Sequence, residues 1–179
     1  MTSVGRGQSP YGISSAFPFD GLPRDLIVAL KFRHRRAAAG VLAGQMVRRL
    51  HLGQVDVVTW APTSPRRARR RGYDQAEAIA RALGRELGVP CRRLLYRAHG
   101  GAQTGKSRAD RLAGPAFRAR SPRPGLSVLV VDDVVTTGAT LHAAACALRS
   151  AGVANVSLVA AASAQLRRSV ASEPRAVAS

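Results

Sequence analysis

Apolar residues recur at helical spacing in two adjoining stretches, residues 25–32 (DLIVALKF) and 36–50 (RAAAGVLAGQMVRRL), turning Leu26, Leu30, Val41, Leu42 and Met46 inward. A short β-branched run at 55–60 (VDVVTW), stopped by Pro62, predicts a buried strand. The helical period returns over 74–87, with Ala76, Ile79, Ala80, Leu83 and Leu87 on one face. Asp74 and Glu77 stand at capping-box spacing at its start, and Gly88 and Pro90 close it. Residues 92–97 (RRLLYR) and 116–118 read as short strands, and 126–131 (LSVLVV) as the clearest strand of all. A helix over 140–150 and a strand over 153–162 complete the pattern.

Strands alternating with helices define an α/β domain with a mainly parallel sheet. The expected layout is a polar arm over 1–20, one domain over 21–164 and a disordered tail over 165–179. Between 98 and 121 the chain is rich in Gly, Ser and Arg and lacks periodicity, so a long mobile loop is expected there.

Charge changes this picture in one respect. The 179 residues carry 28 basic against 10 acidic side chains, a formal net charge of +18, and 26 of the basic residues are Arg. Such a field attracts phosphates, nucleotides and nucleic acid without choosing among them, and an Arg-biased composition accounts for part of it. No stretch approaches the roughly 20 apolar residues of a membrane span, and no apolar run near the N-terminus suits a signal peptide. A cytoplasmic protein is expected. Cys91 and Cys146 lack partners at metal or redox spacing and read as small buried apolar residues; His34, His51, His99 and His142 also lack ligand spacing.

The chemistry concentrates in residues 128–140, VLVVDDVVTTGAT. A buried strand delivers Asp132 and Asp133 to its carboxyl end, where open α/β sheets bind ligands. Thr136, Thr137, Gly138, Ala139 and Thr140 then turn into a helix whose free N–H groups and positive dipole end suit a phosphate. Carboxylates repel a phosphate at contact distance, so Asp132 and Asp133 suit hydroxyl donors or a divalent cation. A ribose 5-phosphate satisfies both halves.

This string resembles the phosphoribosyl-pyrophosphate (PRPP) motif of type I phosphoribosyltransferases. The resemblance implies Asp132 and Asp133 at the ribose hydroxyls, contacting Mg²⁺ only indirectly through the ligand, and Val134 and Thr136 to Thr140 around the 5-phosphate. A second segment, Trp60-Ala-Pro-Thr-Ser-Pro65 followed by the basic run and Arg71-Gly72-Tyr73-Asp74-Gln75, resembles the competence-associated ComF family, with Leu30-Lys31-Phe32 upstream and Gln103-Thr104-Gly105-Lys106-Ser107-Arg108 downstream in the order expected there. Two departures stand out: this chain has no four-cysteine zinc module, so no zinc is expected, and Asp74 replaces a more frequent Asn.

The resemblance further implies a central parallel sheet flanked by helices with a small N-terminal hood. It places pyrophosphate against the backbone of Thr63 and Ser64 and against Arg71, and it makes Lys106 and Arg108, with Arg111, loop residues closing over the reacting ligand. Two functions follow: phosphoribosyl transfer between PRPP or a nucleoside monophosphate and a nitrogenous base, or PRPP and nucleotide binding without turnover in DNA uptake. The second brings single-stranded DNA to the face formed by Arg66, Arg67, Arg69, Arg70 and Arg71, and a competence helicase as a protein partner. Read from the residues, that run is equally a solvated basic face. Tyr73 and Tyr96 are candidates to stack on a base, whereas Trp60, in a strand, reads as core; aromatics at 4% give a stacking platform little support.

Overall fold

The computed structural model describes residues 12–30, 37–64, 68–69, 72–98, 115–120 and 123–165. Its elements are β1 (Ile13–Pro18), α1 (Gly21–Ala29), α2 (Ala37–Arg49), β2 (Val57–Trp60), α3 (Gln75–Leu87), β3 (Leu95–Arg97), β4 (Phe117–Ala119), β5 (Ser127–Val135), α4 (Ala139–Ser150) and β6 (Asn155–Ser163). Four strands make a parallel sheet in the order β1-β6-β5-β2, and β3 pairs with β4 as a separate antiparallel ribbon.

Both faces of the sheet are covered, which is why its central strands read as unbroken apolar runs. In β5, Leu129 and Val131 face a core built with Leu42 and Met46 of α2 and Ile79 and Leu83 of α3. Val128 and Val130 face the other way, toward Leu141, Ala144 and Leu148 of α4 and Leu95 of the ribbon. Val41, expected inward, is 53% exposed, because Ala38, Ala39, Leu42, Ala43 and Met46 define the buried face of α2 and Val41 falls outside that arc.

Helix α3 has the expected ends. Asp74 caps it by accepting from Ala76 N at 3.1 Å. At its far end Gly88 takes a left-handed φ of 68°, with Gly88 N donating to Arg85 O and Val89 N to Gly84 O, a Schellman closure.

Residues 13–18 correct the expectation of a loose arm over 1–20. They form β1, an edge strand paired in parallel with β6 from Ile13 opposite Leu158 to Pro18 opposite Ser163. Ser14 and Ser15 interrupt the apolar run, so the strand is set by tertiary pairing rather than by its own pattern. Of the two helices expected to form a hood, α1 reaches the carboxyl end of the sheet, where Ile27 and Val28 face a cavity. The other, α2, packs along α3.

The sheet is stepped at the functional end. β2 stops at Trp60, opposite Val131, while β5 continues to Val135. Past Val131, β5 is paired with β6 alone, which leaves a recess beside Asp132 and Asp133.

Candidate functional site

That recess is a cavity of about 290 Å³ whose polar wall is formed by Thr63, Asp74, Gln75, Arg97, Asp132, Asp133 and Thr140. Phe19, Ile27 and Val28, from the β1–α1 segment, give it an apolar wall. The structure thus brings Asp132, Asp133, Val134 and Thr140 onto one cavity with Thr63. Thr136 and Thr137 are exposed beside it at the turn into α4.

The two carboxylates are fixed by the backbone. An Asp132 oxygen accepts from Asp133 N at 2.8 Å, and an Asp133 oxygen accepts from Val134 N at 2.7 Å. Burial raises Asp132 well above the ordinary carboxylate range, and the neighbouring Asp133 carboxylate pushes the same way. A hydroxyl donor or a cation in the cavity offsets that cost.

Gly138 opens α4 in the left-handed region at φ 78°, and no side chain of the N-cap residue closes the first turn. Thr137 Oγ1 accepts from Ala139 N at a long 3.4 Å. The turn therefore carries the features of an anion cradle: a glycine-permitted bend, flanking hydroxyls and a helix N-terminus.

Asp74 holds more than a helix end. One carboxylate oxygen accepts from Ala76 N, and the other accepts from Thr63 N at 2.7 Å. The loop after β2 is thereby tied to the start of α3. Burial raises Asp74, partly offset by the N–H donors of Thr63, Ala76 and Glu77, and the Asp133 charge raises it further. Thr63, whose backbone the resemblance places against pyrophosphate, lines the cavity, and its N–H donates to Asp74. Gln75 reaches across to α1, where Nε2 donates to Ile27 O at 3.2 Å.

A larger groove of about 770 Å³ adjoins the cavity and shares Pro62, Thr63, Asp74 and Arg97 with it. Arg69, Arg93 and Arg118 make its outer wall basic. The site is therefore bipartite, acidic inside and basic at the mouth. Sequence reasoning did not single out Arg93, Arg97 or Arg118, which come together only through the β3–β4 pairing. Ser64 lies in the described loop, its carbonyl accepting from Ala68 N. Arg66, Arg67, Arg70, Arg71, Lys106, Arg108 and Arg111 lie outside the described residues. Cys146, expected buried, is exposed on α4, while burial pushes the Cys91 thiol up to about 11.

Among the described residues, no group of three His, Cys, Asp or Glu side chains is arranged to hold a metal ion, and no helix is long and apolar enough to cross a membrane.

Comparison with known proteins agrees with this architecture. Residues 69–177 match the phosphoribosyl transferase domain, and the chain belongs to that family. Its relatives within the family are competence and DNA-utilization proteins, in keeping with the ComF resemblance. Competence protein ComFC of Bacillus subtilis is 34% identical over 54% of this chain and 40% of its own length. DNA utilization protein YhgH of Salmonella typhi is 30% identical over 73% of this chain and 63% of its own length. The chain thus covers less than two thirds of these relatives. Among solved structures, the glutamine PRPP amidotransferase of B. subtilis complexed with ADP and GMP superposes with a TM-score of 0.51 at 22% identity, covering 75% of this chain and 30% of that one. An allosteric regulatory enzyme of purine biosynthesis gives 0.50 at 22% identity with the same coverage. These likenesses show the type I phosphoribosyltransferase fold.

Proposed function

We propose that the protein binds a ribose 5-phosphate ligand, PRPP or a nucleoside monophosphate, and transfers the phosphoribosyl group to or from a nitrogenous base. The observation that carries this reading is the meeting of Asp132, Asp133 and Thr140 on one cavity beside the Gly138 turn. Asp132 and Asp133 would accept from the ribose hydroxyls, and the turn from Thr136 to Thr140 would hold the 5-phosphate. The basic mouth would face the pyrophosphate, with Arg71, Lys106 and Arg108 as further candidates from the family resemblance.

Mg²⁺ would neutralise charge on the departing pyrophosphate. The carboxylates suit it as outer partners, since burial first and the adjacent Asp133 charge second disfavour a bare Asp132 carboxylate. Held by ligand oxygens, the cation needs no cage of three protein ligands. The protein's own work is to orient the ribose, anchor the phosphate and exclude water while positive charge develops at the anomeric carbon.

Purified protein incubated with PRPP, Mg²⁺ and a panel of bases should release pyrophosphate with at least one base, and Asp132→Asn should abolish that release. Absence of release across a broad panel, with PRPP binding intact, favours the second reading. In that reading the site binds nucleotide without turnover and the protein acts in DNA uptake, as the names of its relatives suggest.

A further inference from the structure

The three carboxylates of the cavity reach it from two directions. Asp132 and Asp133 stand near the end of β5, whereas Asp74 precedes α3 and holds Thr63 of the loop that follows β2. In the sheet order β1-β6-β5-β2, that loop lies on the side of β5 away from β6. On the ribose-phosphate reading proposed above, on which this inference rests, the 5-phosphate sits at the turn into α4 and the hydroxyls meet Asp132 and Asp133. The anomeric carbon then faces the remaining lining, with Thr63 and Asp74 on one wall and Phe19, Ile27 and Val28 on the other.

Asp74 stands at a junction. The cavity and the larger basic groove share Pro62, Thr63, Asp74 and Arg97, so a group running outward from the anomeric carbon toward Arg69, Arg93 and Arg118 passes this carboxylate. Its place there is fixed, because one oxygen accepts from Thr63 N at 2.7 Å and the other from Ala76 N at 3.1 Å.

The junction is negative on its inner side. Three carboxylates line the cavity, against Arg97 as the basic lining residue among those described. Burial is the first cause that raises Asp74; the N–H donors of Thr63, Ala76 and Glu77 oppose it, and the side-chain charge acting on it is that of Asp133. Asp132 in turn feels, after its own burial, the charges of Asp133 and Asp74. Among the described residues the ion pairs are Arg24–Asp25 and Arg81–Glu77, and neither takes in Asp74. An ionised carboxylate only accepts hydrogen bonds, as do pyrophosphate oxygens, so the two repel at close range. A nitrogenous base brings N–H donors at its edge and flat apolar faces, which suit the carboxylate and the apolar wall.

We propose that Asp74 is a specificity-determining residue at this junction: it disfavours pyrophosphate on the anomeric carbon relative to an uncharged base, so the site prefers a nucleoside monophosphate to PRPP. The preference is one of affinity. PRPP remains a ligand where Mg²⁺ masks its charge, and its outer phosphate then reaches the basic groove. Removing the Asp74 charge while keeping its hold on the helix end should therefore improve PRPP binding, the opposite of what the loss of a merely supporting residue does.

The test is isothermal titration calorimetry of the full chain at fixed Mg²⁺ with PRPP, ribose 5-phosphate and a panel of AMP, GMP, CMP and UMP. The wild type should bind at least one nucleoside monophosphate more tightly than PRPP, a ranking that needs no variant. Asp74→Asn and Asp74→Ser both keep a helix-capping acceptor and remove the charge. Each should tighten PRPP roughly 3- to 30-fold, the scale of one unit charge beside a partly screened anion, and leave ribose 5-phosphate within about twofold. Ligand-free melting curves establish that each variant is folded at the assay temperature. Three results overturn the proposal: a wild type that binds PRPP more tightly than every nucleoside monophosphate; PRPP affinity unchanged or weakened in both variants; or PRPP tightened in only one of them, which would assign the gain to the new side chain rather than to the lost charge. Each of these leaves the ribose-phosphate reading standing, provided that ribose 5-phosphate or PRPP binds and that Asp132→Asn/Asp133→Asn abolishes the binding. A wild type that binds no ribose phosphate removes both.

Discussion

A Cβ atom on Gly138 would stand 2.6 Å from Cδ1 of Ile13. The first strand of the sheet thus packs against the turn that opens α4, although the two residues are far apart in sequence. Space and backbone both demand glycine there, since φ is 78° and β1 is held by its ladder to β6. Gly138→Ala should cost about 1–3 kcal/mol, from left-handed strain together with overpacking. Adding Ile13→Ala should recover only part of that loss, because it relieves the contact and not the φ. A double-mutant cycle on urea unfolding measures both parts. Strict additivity would show that Ile13 does not constrain the turn.

Asp74 joins the Thr63 loop to α3 through its two carboxylate oxygens. Asp74→Ala removes both acceptors and should destabilise by about 1–3 kcal/mol, combining a lost N-cap with a stranded loop N–H. Asp74→Asn, the residue more frequent in the resembling family, keeps one acceptor and should lose less than half of that. Denaturant unfolding separates them. Equal losses would show that the acceptor Asn keeps contributes nothing and would contradict this two-oxygen account.

Asp132 is expected to trade stability for binding. Its folded pKa is raised, so the folded state takes up a proton more readily than the unfolded one and stability falls as pH rises from 3.8 through the raised value. Asp132→Asn removes that penalty, so the ligand-free variant should melt higher than the wild type at pH 7, by about 0.5–2 kcal/mol or a few degrees. The difference should shrink as pH falls and vanish below 3.8, where the side chain is protonated in both states. A variant that melts lower at pH 7 and keeps the same offset in acid would contradict this.

The strand, its two carboxylates and the Gly138 turn into α4 were legible in the sequence because they occupy thirteen consecutive residues, where local pattern suffices. So were the caps of α3, which depend on neighbours in the chain. β1 was not legible, because Ser14, Ser15 and Pro18 hide a strand that only pairing with β6 defines. The bond from Thr63 N to Asp74 spans 11 residues across an Arg-rich run and follows from how the loop folds back. Tyr96 and Arg118 are likewise distant in sequence and adjacent only across the ribbon, so their arginines read individually as solvated surface.

The central claim, a ribose-phosphate site built on Asp132 and Asp133, is tested most directly by the melting temperature with PRPP and Mg²⁺, beside the Asp132→Asn/Asp133→Asn protein. At about 100 times its dissociation constant, PRPP should stabilise the wild type by about 2.7 kcal/mol, or roughly 5–10 °C at this size. The rise should need Mg²⁺ and disappear in the double variant. A folded wild type whose melting temperature does not move with PRPP and Mg²⁺, or an equal rise in the double variant, would contradict it.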